Sequence, residues 1–422
     1  MARHPLPPAP ASGGWHDGDP AAFRSFADIG PLRLENGDTL PSVRIAYETW
    51  GRLDEAKSNA VLVLHALTGD AHVLGPTAPG QDTPGWWEAV VGPGKAIDTE
   101  HCFVVAANVL GGCQGSTGPS SPSPDGAPWG SRFPVVSTRD QVRAEARLAD
   151  LLGVGAWSLV IGASLGGQRA IEWAVSRPDR VERLVVVASG ARTTAEQAAW
   201  THTQIRAIEL DPNWRGGDYH ALPVGPTGGL ALARQIAHTT YRSPAELDER
   251  FGRIPQNDED PLRGGRLAVE SYLDHHGEKL ARRFDAGSYV ALCRTMLSHD
   301  IGRDRGGQSE ALRRVRARTL VVAVDSDRLF HPDQAWRMAE GIDGALYREI
   351  HSAHGHDGFL IECDQLAALL GEFLNERAPS RRPASARRRG AGRRRPGPRR
   401  TGCARWRRRR RAGPPPAGRR SA

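Results

Sequence analysis

The sequence is poor in lysine, in long apolar runs and in paired cysteines. Only three of its 422 residues are lysines, and its five cysteines form no C-x-x-C pair and no metal-binding spacing with histidine. No apolar run approaches the ~18 residues of a transmembrane helix. Residues 1–20 contain no apolar stretch typical of a secretory signal. These absences argue against a disulfide scaffold, a cysteine-bound metal and a membrane protein, and we expect a soluble, cytoplasmic protein without a metal site.

Acidic residues are absent from the last 46 positions. Residues 377–422 hold 19 arginines and no Asp or Glu, so the formal +8 of the whole chain leaves −11 for residues 1–376. The positive net charge therefore does not make the main part of the chain a nucleic-acid binder. Arginine interleaved with Pro, Gly and Ala predicts a disordered tail. Out-of-frame reading of a GC-rich gene would give the same residues, so an artefact of the reading frame and a dedicated nucleic-acid-binding tail stay open as alternatives.

Short apolar runs alternate with segments long enough for helices. A helical pattern at residues 138–152 follows Ser137, a residue typical of helix N-caps. This alternation predicts an α/β fold with a mostly parallel, doubly wound sheet. Two further strands, at residues 32–34 and 43–49, flank an Asn-Gly-Asp turn and predict a hairpin. Apolar runs typical of buried strands lie at residues 60–64, 102–107, 158–161, 184–188 and 319–324, and a further strand-like stretch lies at 346–350.

The alternation stops at about residue 191 and resumes after residue 307. The intervening stretch has helical patterns at residues 194–208, 229–238 and 244–251, and it predicts a helical lid over the carboxyl ends of the strands. We therefore predict five parts of the chain: a flexible arm at 1–26, the first part of the core at 27–190, the lid at 191–307, the second part of the core at 308–376, and the tail at 377–422.

The most informative local motif is G-x-S-x-G at residues 162–166, centred on Ser164. It follows an apolar strand and precedes a helical pattern, which is the context in which this motif forms the nucleophile elbow of α/β-hydrolases. Glycines flank the serine because the sharp turn leaves no room for β-carbons, and the helix N-terminus favours developing negative charge. We therefore predict Ser164 to be a nucleophile.

A serine nucleophile needs a base and an acid that orients it, and in this fold they follow the serine in the order acid, then histidine. Asp325 and Asp327 come directly after the strand at 319–324. His351, His354 and His356 come directly after the strand at 346–350. Each cluster thus falls at the same sheet edge as Ser164, but the residues alone leave open which acid and which histidine act.

An oxyanion hole is the third requirement. In α/β-hydrolases one donor is the backbone N–H after the nucleophile, here Leu165, and the other comes from a loop after an earlier strand. The loop His65-Ala66-Leu67-Thr68 follows the strand at 60–64, and Leu67 is our prediction for the second donor.

Taken together, several strings resemble the homoserine O-acetyltransferase family of the α/β-hydrolase superfamily. The resemblance spans about residues 32–374, and the glycine-rich string at 108–121 is the most specific part of it. The strings are HALTGDAH at 65–72, NVLGGCQGSTGPSS at 108–121, GASLGGQRAIEWA at 162–174, DSDRLF at 325–330 and GHDGFLIE at 355–362.

The resemblance implies a nucleophile at Ser164, an orienting acid at Asp327 and a general base at His356. It also implies that Arg234 holds the homoserine carboxylate, that Asp357 holds the ammonium, and that Tyr241 lies in the substrate-binding stretch. A planar, two-pronged cation suits a carboxylate.

The expected reaction is a ping-pong transfer of acetyl from acetyl-CoA to the hydroxyl of L-homoserine, in methionine biosynthesis, with no bound cofactor and with a homodimer formed through the lids. His331, Ala163 and Leu165 depart from the usual family residues without removing a reacting group. Succinyl-CoA as donor, and serine or a deacetylated β-lactam as acceptor, stay open. A plain serine esterase and a nucleic-acid-binding protein acting through the tail are the remaining alternatives.

Overall fold

The computed structural model describes residues 9–375. Its strands are β1 (Ser25–Asp28), β2 (Leu32–Arg33), β3 (Thr39–Leu40), β4 (Arg44–Trp50), β5 (Ala60–Leu64), β6 (Val91–Gly92), β7 (Ile97–Asp98), β8 (Phe103–Ala107), β9 (Leu159–Ala163), β10 (Arg183–Val187), β11 (Arg318–Val324) and β12 (Leu346–Ile350). Its α-helices are α1 (Thr138–Leu151), α2 (Leu165–Ser176), α3 (Ala195–Glu209), α4 (Thr227–Tyr241), α5 (Pro244–Phe251), α6 (Ala268–Arg283), α7 (Ala286–Ser298), α8 (Gln308–Leu312), α9 (Pro332–Gly341), α10 (Gly358–Ile361) and α11 (Cys363–Asn375).

Eight strands form one sheet in the order β1-β4-β8-β5-β9-β10-β11-β12. The five pairings from β8 to β12 are parallel, whereas β4 pairs antiparallel with both β1 and β8. All five residues of β5 and of β9 are buried, as expected for central strands covered on both faces. The mostly parallel α/β fold predicted from the alternation of strands and helices is therefore confirmed.

Alternate residues of the strands supply two apolar layers. In β5, Leu62 and Leu64 pack in one layer with residues of α1, α2 and α9, while Val61 and Val63 pack in the other with residues of α11. This alternation follows from the two-residue period of a strand. Because β5, β9, β11 and β12 run in the same direction, their carboxyl ends lie at one edge of the sheet. The loops that follow these strands meet at that edge.

Six α-helices, α3 to α8, lie between β10 and β11, and five of them, α3 to α7, fall within the predicted lid at 191–307. The three helical patterns of the sequence correspond to α3, α4 and α5, but α6 and α7 were not predicted individually. A third apolar cluster joins residues of these helices to Leu67, Leu165 and Phe330 at the sheet edge. The helical insertion therefore packs directly on the loops that carry the candidate site.

The predicted hairpin between residues 32–34 and 43–49 is wrong in its pairing. Leu32–Arg33 pairs instead with Thr39–Leu40 across the Asn-Gly-Asp turn, and Arg44–Trp50 pairs with β1 and β8 in the large sheet. The turn was located correctly, but the short partner strand β3 carries little apolar signal. Position 43, assigned to the second strand of the hairpin, precedes β4.

The last predicted part lies outside the described residues, and so does the start of the first. The tail at 377–422 and residues 1–8 of the predicted arm are not described. Within the arm, Ser25 and Phe26 belong to β1, so the sheet begins two residues earlier than the predicted boundary. Among residues 9–375, no helix is long and apolar enough to cross a bilayer.

Candidate active site

Ser164 occupies a strained turn between β9 and α2. Its backbone has φ 56° and ψ −122°, a conformation that non-glycine residues rarely adopt. The flanking glycines have no room for a side chain: a β-carbon on Gly162 would lie 2.2 Å from the Gly166 oxygen, and one on Gly166 would lie 2.0 Å from the Leu64 oxygen. The close approach of α2 to β5 therefore requires the G-x-S-x-G spacing, and the turn places the serine hydroxyl at the sheet edge.

Three side chains meet at this edge in a chain of hydrogen bonds. His356 Nε2 lies 2.9 Å from Ser164 Oγ, and His356 Nδ1 lies 2.6 Å from Asp327 Oδ2. All three residues are buried. Because a carboxylate only accepts hydrogen bonds, the Nδ1–H donates to Asp327 and leaves Nε2 free to accept from the Ser164 hydroxyl. This geometry suits a nucleophile, a base and an orienting acid.

Asp327 is held rigidly by the backbone that follows it. Its Oδ1 accepts hydrogen bonds from the amides of Leu329 and Phe330, at 2.8 and 2.9 Å, so only Oδ2 is directed at His356. A turn in which an Asp side chain caps amides two and three residues further on is a common local motif. It fixes which carboxylate oxygen faces the imidazole.

The other candidates for acid and base lie apart from Ser164. Asp325 pairs with His351 at 3.0 Å, and both side chains are exposed. His354 lies 3.8 Å from Glu246 of α5. Within residues 9–375 the structure therefore brings Asp327 and His356 to the serine, and it brings none of Asp325, His351 or His354 to it.

The surroundings of His356 are aromatic and shielded from water. The Phe330 ring stacks on the imidazole with centroids 5.4 Å apart, the Phe359 ring meets it edge-on at 5.4 Å, and the Tyr241 ring lies at 5.7 Å. Burial acts to lower the pKa of His356, but the neighbouring Asp327 carboxylate outweighs it and raises that pKa above its usual value. The sequence motifs included Phe330 and Phe359 but gave no sign that they would enclose the imidazole.

The two predicted oxyanion-hole residues flank the same space. Leu165 is the first residue of α2, and Leu67 lies in the loop after β5; their side chains share one apolar cluster with Phe330. Among the described residues, the Leu67 amide makes no hydrogen bond. That amide is therefore available to a substrate oxygen.

Arg234 and Tyr241 reach the site from α4. Arg234 Nη1 lies 3.3 Å from Thr68 Oγ1, and its guanidinium lies over the Tyr241 ring at 5.2 Å from the centroid. Burial raises the pKa of Tyr241 to about 12, so this side chain stays neutral. The sequence analysis did not single out Thr68 as a contact, although it lies next to Leu67.

Asp357 lies beside His356 but has a partner that the sequence did not reveal. Its Oδ2 lies 3.3 Å from Arg242 Nη2, at the end of α4. Burial raises the pKa of Asp357, against the opposing effect of the positive charges of Arg242, His356 and Arg234. The structure thus adds Arg242, which also lies 3.6 Å from Glu246 Oε1, to the charged residues that the resemblance implied.

The glycine-rich loop at residues 108–121 is hydrogen-bonded to the loop that follows β5. The side chain of Asn108 accepts from the Ala71 amide and donates to the Gln114 carbonyl, and Ser116 Oγ donates to the Asn108 carbonyl. A β-carbon on Gly118 would lie 2.2 Å from the Gly112 oxygen. Close backbone packing explains the glycines without a bound phosphate. No cluster of three or more potential metal ligands occurs in the described part of the chain.

The sheet topology and the strained turn at Ser164 are those of an α/β-hydrolase fold. Residues 59–360 match the family described as alpha/beta hydrolase fold, so the chain belongs to that superfamily. It is 58% identical to the homoserine O-acetyltransferase of Thermobifida fusca (strain YX) over 377 residues, which cover 89% of this chain and all of the relative. The chain therefore belongs to the homoserine O-acetyltransferase family, as the resemblance predicted.

The solved structures similar to this chain include a homoserine O-acetyltransferase and an esterase. A homoserine O-acetyltransferase from Bacillus anthracis matches with a TM-score of 0.78 at 28% identity, covering 84% of this chain and 97% of that one. The esterase E22 matches with a TM-score of 0.77 at 27% identity, covering 83% of this chain and 99% of that one. One fold thus serves proteins named as transferases and as esterases, so the overall likeness of the fold does not separate the two activities.

Proposed function

We propose that this protein is a homoserine O-acetyltransferase that moves an acetyl group from acetyl-CoA to the hydroxyl of L-homoserine through an acetyl-serine intermediate. The observation that carries the proposal is the hydrogen-bonded chain from Ser164 through His356 to Asp327, at 2.9 and 2.6 Å. The chain that contains these three residues is 58% identical to a relative named homoserine O-acetyltransferase.

In the first half-reaction, His356 takes the proton of Ser164 as Oγ attacks the thioester carbonyl. The carbonyl oxygen gains negative charge, which the amides of Leu67 and Leu165 stabilise. When the tetrahedral intermediate collapses, His356 returns the proton to the CoA sulfur, the C–S bond breaks, and acetyl stays on Ser164. Asp327 holds the imidazole in the required tautomer and stabilises its positive charge.

In the second half-reaction, the homoserine hydroxyl takes the place of the thiol. His356 accepts its proton, the alkoxide attacks the acetyl-serine, and Ser164 leaves with the proton that His356 returns. Arg234 binds the homoserine carboxylate, with Thr68 and Tyr241 keeping the guanidinium in place. These contacts, at 3.3 Å and 5.2 Å, support a fixed orientation for a two-pronged ion pair.

Asp357 is our proposed partner for the homoserine ammonium. Its contact with Arg242 means that the ammonium would share the carboxylate with an arginine. Burial already raises the pKa of Asp357, and a substrate ammonium would add a positive charge that favours the ionised carboxylate. We therefore expect Asp357 to accept the amino acid only when its amino group is charged.

Acetyl transfer has to be faster than hydrolysis of the acetyl-serine, so the intermediate must react with homoserine before it reacts with water. The helices α3 to α7 cover the sheet edge, and we propose that residues 191–307 act as a lid that excludes water. We also propose a homodimer formed through the lids, a cytoplasmic location, and methionine biosynthesis as the setting. The core parts at 27–190 and 308–376 would then form one catalytic domain around the inserted lid.

The test is Ser164→Ala, measured with acetyl-CoA and L-homoserine. We expect the variant to lose both CoA release and formation of the acetylated protein, as seen by intact mass. Ser158→Ala is the matched control: it removes a hydroxyl that donates to the Ala60 carbonyl just before β9, at the other end of that strand from Ser164, and should leave acetylation in place. Full activity in Ser164→Ala would refute the assignment of the nucleophile.

A panel of donors and acceptors tests the substrates separately. Purified protein would be assayed with acetyl-CoA and succinyl-CoA, each with homoserine, serine or a deacetylated β-lactam. We expect acetyl-CoA with homoserine to give the highest kcat/KM. A preference for succinyl-CoA, or for another acceptor, would keep the acyl-serine mechanism and change the substrate.

An esterase is the second candidate, and the structural likeness to esterase E22 favours it. It would use the same Ser164, His356 and Asp327, with water in place of homoserine. The two candidates differ in one measurement: an esterase releases acetate from a test ester at a rate that homoserine does not change. The transferase instead forms O-acetylhomoserine and releases little acetate when homoserine is present.

A further inference from the structure

The loop after β5 contains a buried histidine, His65, to which the proposed mechanism assigns no role. It directly follows β5 and is 3% exposed. Both ring nitrogens have backbone partners: Nε2 lies 3.1 Å from the Val109 amide nitrogen, and Nδ1 lies 2.8 Å from the Ala66 carbonyl oxygen. An amide N–H only donates and a carbonyl only accepts, so these two contacts together require a neutral ring that carries its hydrogen on Nδ1.

The surroundings of His65 favour this neutral form. Burial, reinforced by the positive charge of Arg169, lowers the pKa of His65 to about 3. Arg169 itself donates to the His65 carbonyl at 2.7 Å and is paired with Glu145, deep in the interface of α1 and α2. The imidazole is thus held between two fixed points, the Val109 amide and the Ala66 carbonyl, and keeps one tautomer over the pH range in which enzymes work.

The Ala66 carbonyl belongs to the same peptide unit as the Leu67 N–H. In a trans peptide the C=O and the N–H point in opposite directions, and the described residues contain no cis peptide bond. Fixing the Ala66 oxygen therefore fixes the direction of the Leu67 N–H. The Gly69 amide also donates to the Ala66 oxygen at 3.0 Å, and a β-carbon on Gly69 would lie 3.0 Å from the His65 Cβ.

From this arrangement we propose that His65 is a positioning residue: its Nδ1–H holds the Ala66–Leu67 peptide so that the Leu67 amide is directed at the oxygen of the acyl group on Ser164. The proposal rests on the proposed function, because it concerns the oxyanion hole of that reaction. The position of the loop against α2 supports it, since a β-carbon on Gly166 would lie 2.9 Å from the His65 oxygen. An oxyanion donor contributes fully only when its direction is fixed before the charge develops.

Two substitutions of similar size separate this role from general support of the fold. In His65→Asn, the side-chain NH₂ takes the place of Nδ1 and can still donate to the Ala66 carbonyl, whereas the partner of the Val109 amide is lost. In His65→Gln, the longer side chain reaches the place of Nε2 and can accept from Val109, whereas the donor to Ala66 is lost. Each variant gives up one of the two hydrogen bonds, so we expect similar losses in thermal stability.

The rates should differ between the two variants. We expect His65→Gln to slow acetylation of Ser164 by about 10- to 100-fold, less than the ~10²–10³-fold lost when an oxyanion-hole donor is removed outright. His65→Asn should recover most of that rate, and KM for homoserine should stay unchanged in both. Equal rates in the two variants, whether both slow or both normal, would overturn the proposal.

A measurement on the unmodified chain covers the case in which a variant does not fold. Nitrogen NMR of the full-length protein with ¹⁵N-labelled histidine distinguishes the two neutral tautomers and the charged ring. We expect the His65 signal to show a neutral ring protonated at Nδ1 from pH 5 to pH 8. A ring protonated at Nε2, or a charged ring at neutral pH, would overturn the proposal.

A second acyl donor makes failure of this proposal distinguishable from failure of the proposed function. Acetylation of Ser164 would be followed with 4-nitrophenyl acetate as well as with acetyl-CoA. If the protein transferred no acetyl to homoserine, the proposed function would fail. The contrast between the Asn and Gln variants in the burst of 4-nitrophenol would still decide whether His65 orients the Leu67 amide.

Discussion

Replacing Asp327 by asparagine should reverse the tautomer of His356, and the structure gives the reason. Oδ1 of Asp327 accepts hydrogen bonds from two backbone amides, of Leu329 and Phe330. In Asp327→Asn this position must keep the side-chain oxygen, because an NH₂ group there would face two N–H donors. The NH₂ group is then forced into the place of Oδ2, 2.6 Å from His356 Nδ1.

An NH₂ group at this place can only donate, so His356 Nδ1 must become the acceptor. The imidazole hydrogen then moves to Nε2 and points at Ser164 Oγ, where a base needs a lone pair. We expect kcat for acetylation to fall about 10⁴-fold, the loss that follows the same change in a serine protease triad. This corresponds to about 5.5 kcal/mol of lost transition-state stabilisation, while KM for the acyl donor should change little.

The assay is the pre-steady-state release of CoA from acetyl-CoA at several pH values. Asp325→Asn is the matched control: it makes the same chemical change two residues away, in an exposed pair with His351. It should leave the rate close to that of the unmodified protein, because exposed pairs contribute little. The tautomer argument would be refuted if Asp327→Asn kept more than about a tenth of the rate, or if Asp325→Asn lost as much.

Three further predictions concern the same site and its support. Because Asp327 raises the pKa of His356 above its usual value and the base acts when neutral, acetylation should fall as pH drops through that raised pKa; Asp327→Asn should move this acid limb to lower pH, as pH–rate profiles would record. Arg234→Lys should raise KM for homoserine about tenfold or more with little change in acetylation by 4-nitrophenyl acetate, because an ammonium cannot reproduce two-pronged binding; equal effects on both would contradict the assignment. Arg169→Met should lower the free energy of unfolding in urea by about 3–5 kcal/mol, because it leaves the Glu145 carboxylate buried without its ion pair, and a loss below about 1 kcal/mol would contradict it.

The sheet and the nucleophile could be predicted because short-range rules govern them. A buried central strand such as β9 is an uninterrupted apolar run, and the glycines around Ser164 are required by backbone contacts within a few residues of it. The pairing of β2 could not be predicted in the same way. Its partner β3 has only two residues, and the choice between β3 and β4 depends on β8 and β1, which lie far apart in sequence.

The helix α6 escaped prediction for a related reason. Buried positions in α6 are few, namely Tyr272, Gly277, Leu280 and Ala281, and polar residues cover most of its surface. It packs against α4, where a β-carbon on Gly277 would lie 2.8 Å from the Ala231 oxygen. The apolar face of such a helix is narrow and is completed by a partner helix, so the period in the sequence is weak.

The choice among the candidate acids and bases depended on direction and not on position along the chain. Asp325 and Asp327 both follow β11, but the Asp327 side chain is turned inward by its bonds to the amides of Leu329 and Phe330, whereas Asp325 faces His351 at the surface. Sequence rules indicate which loop carries an acid. They do not indicate which of two neighbouring side chains points into the site, because that depends on the turn that each one caps.

The same distinction explains why the chemistry of this protein is easier to infer than its substrate. The proposed nucleophile, base and acid follow directly from the ends of β9, β12 and β11, so the sheet alone brings their backbones together. The proposed acceptor residues Arg234 and Tyr241 come from α4, whose place over the sheet depends on packing between distant helices. On the proposed function, a protein of this fold keeps the acylated serine and exchanges homoserine for water by changes in α4 and at Asp357. Transplanting the contacts of Arg234 and Asp357 onto an esterase scaffold should then raise acyl transfer to homoserine relative to hydrolysis, and an unchanged ratio would mean that water is excluded by other parts of the lid.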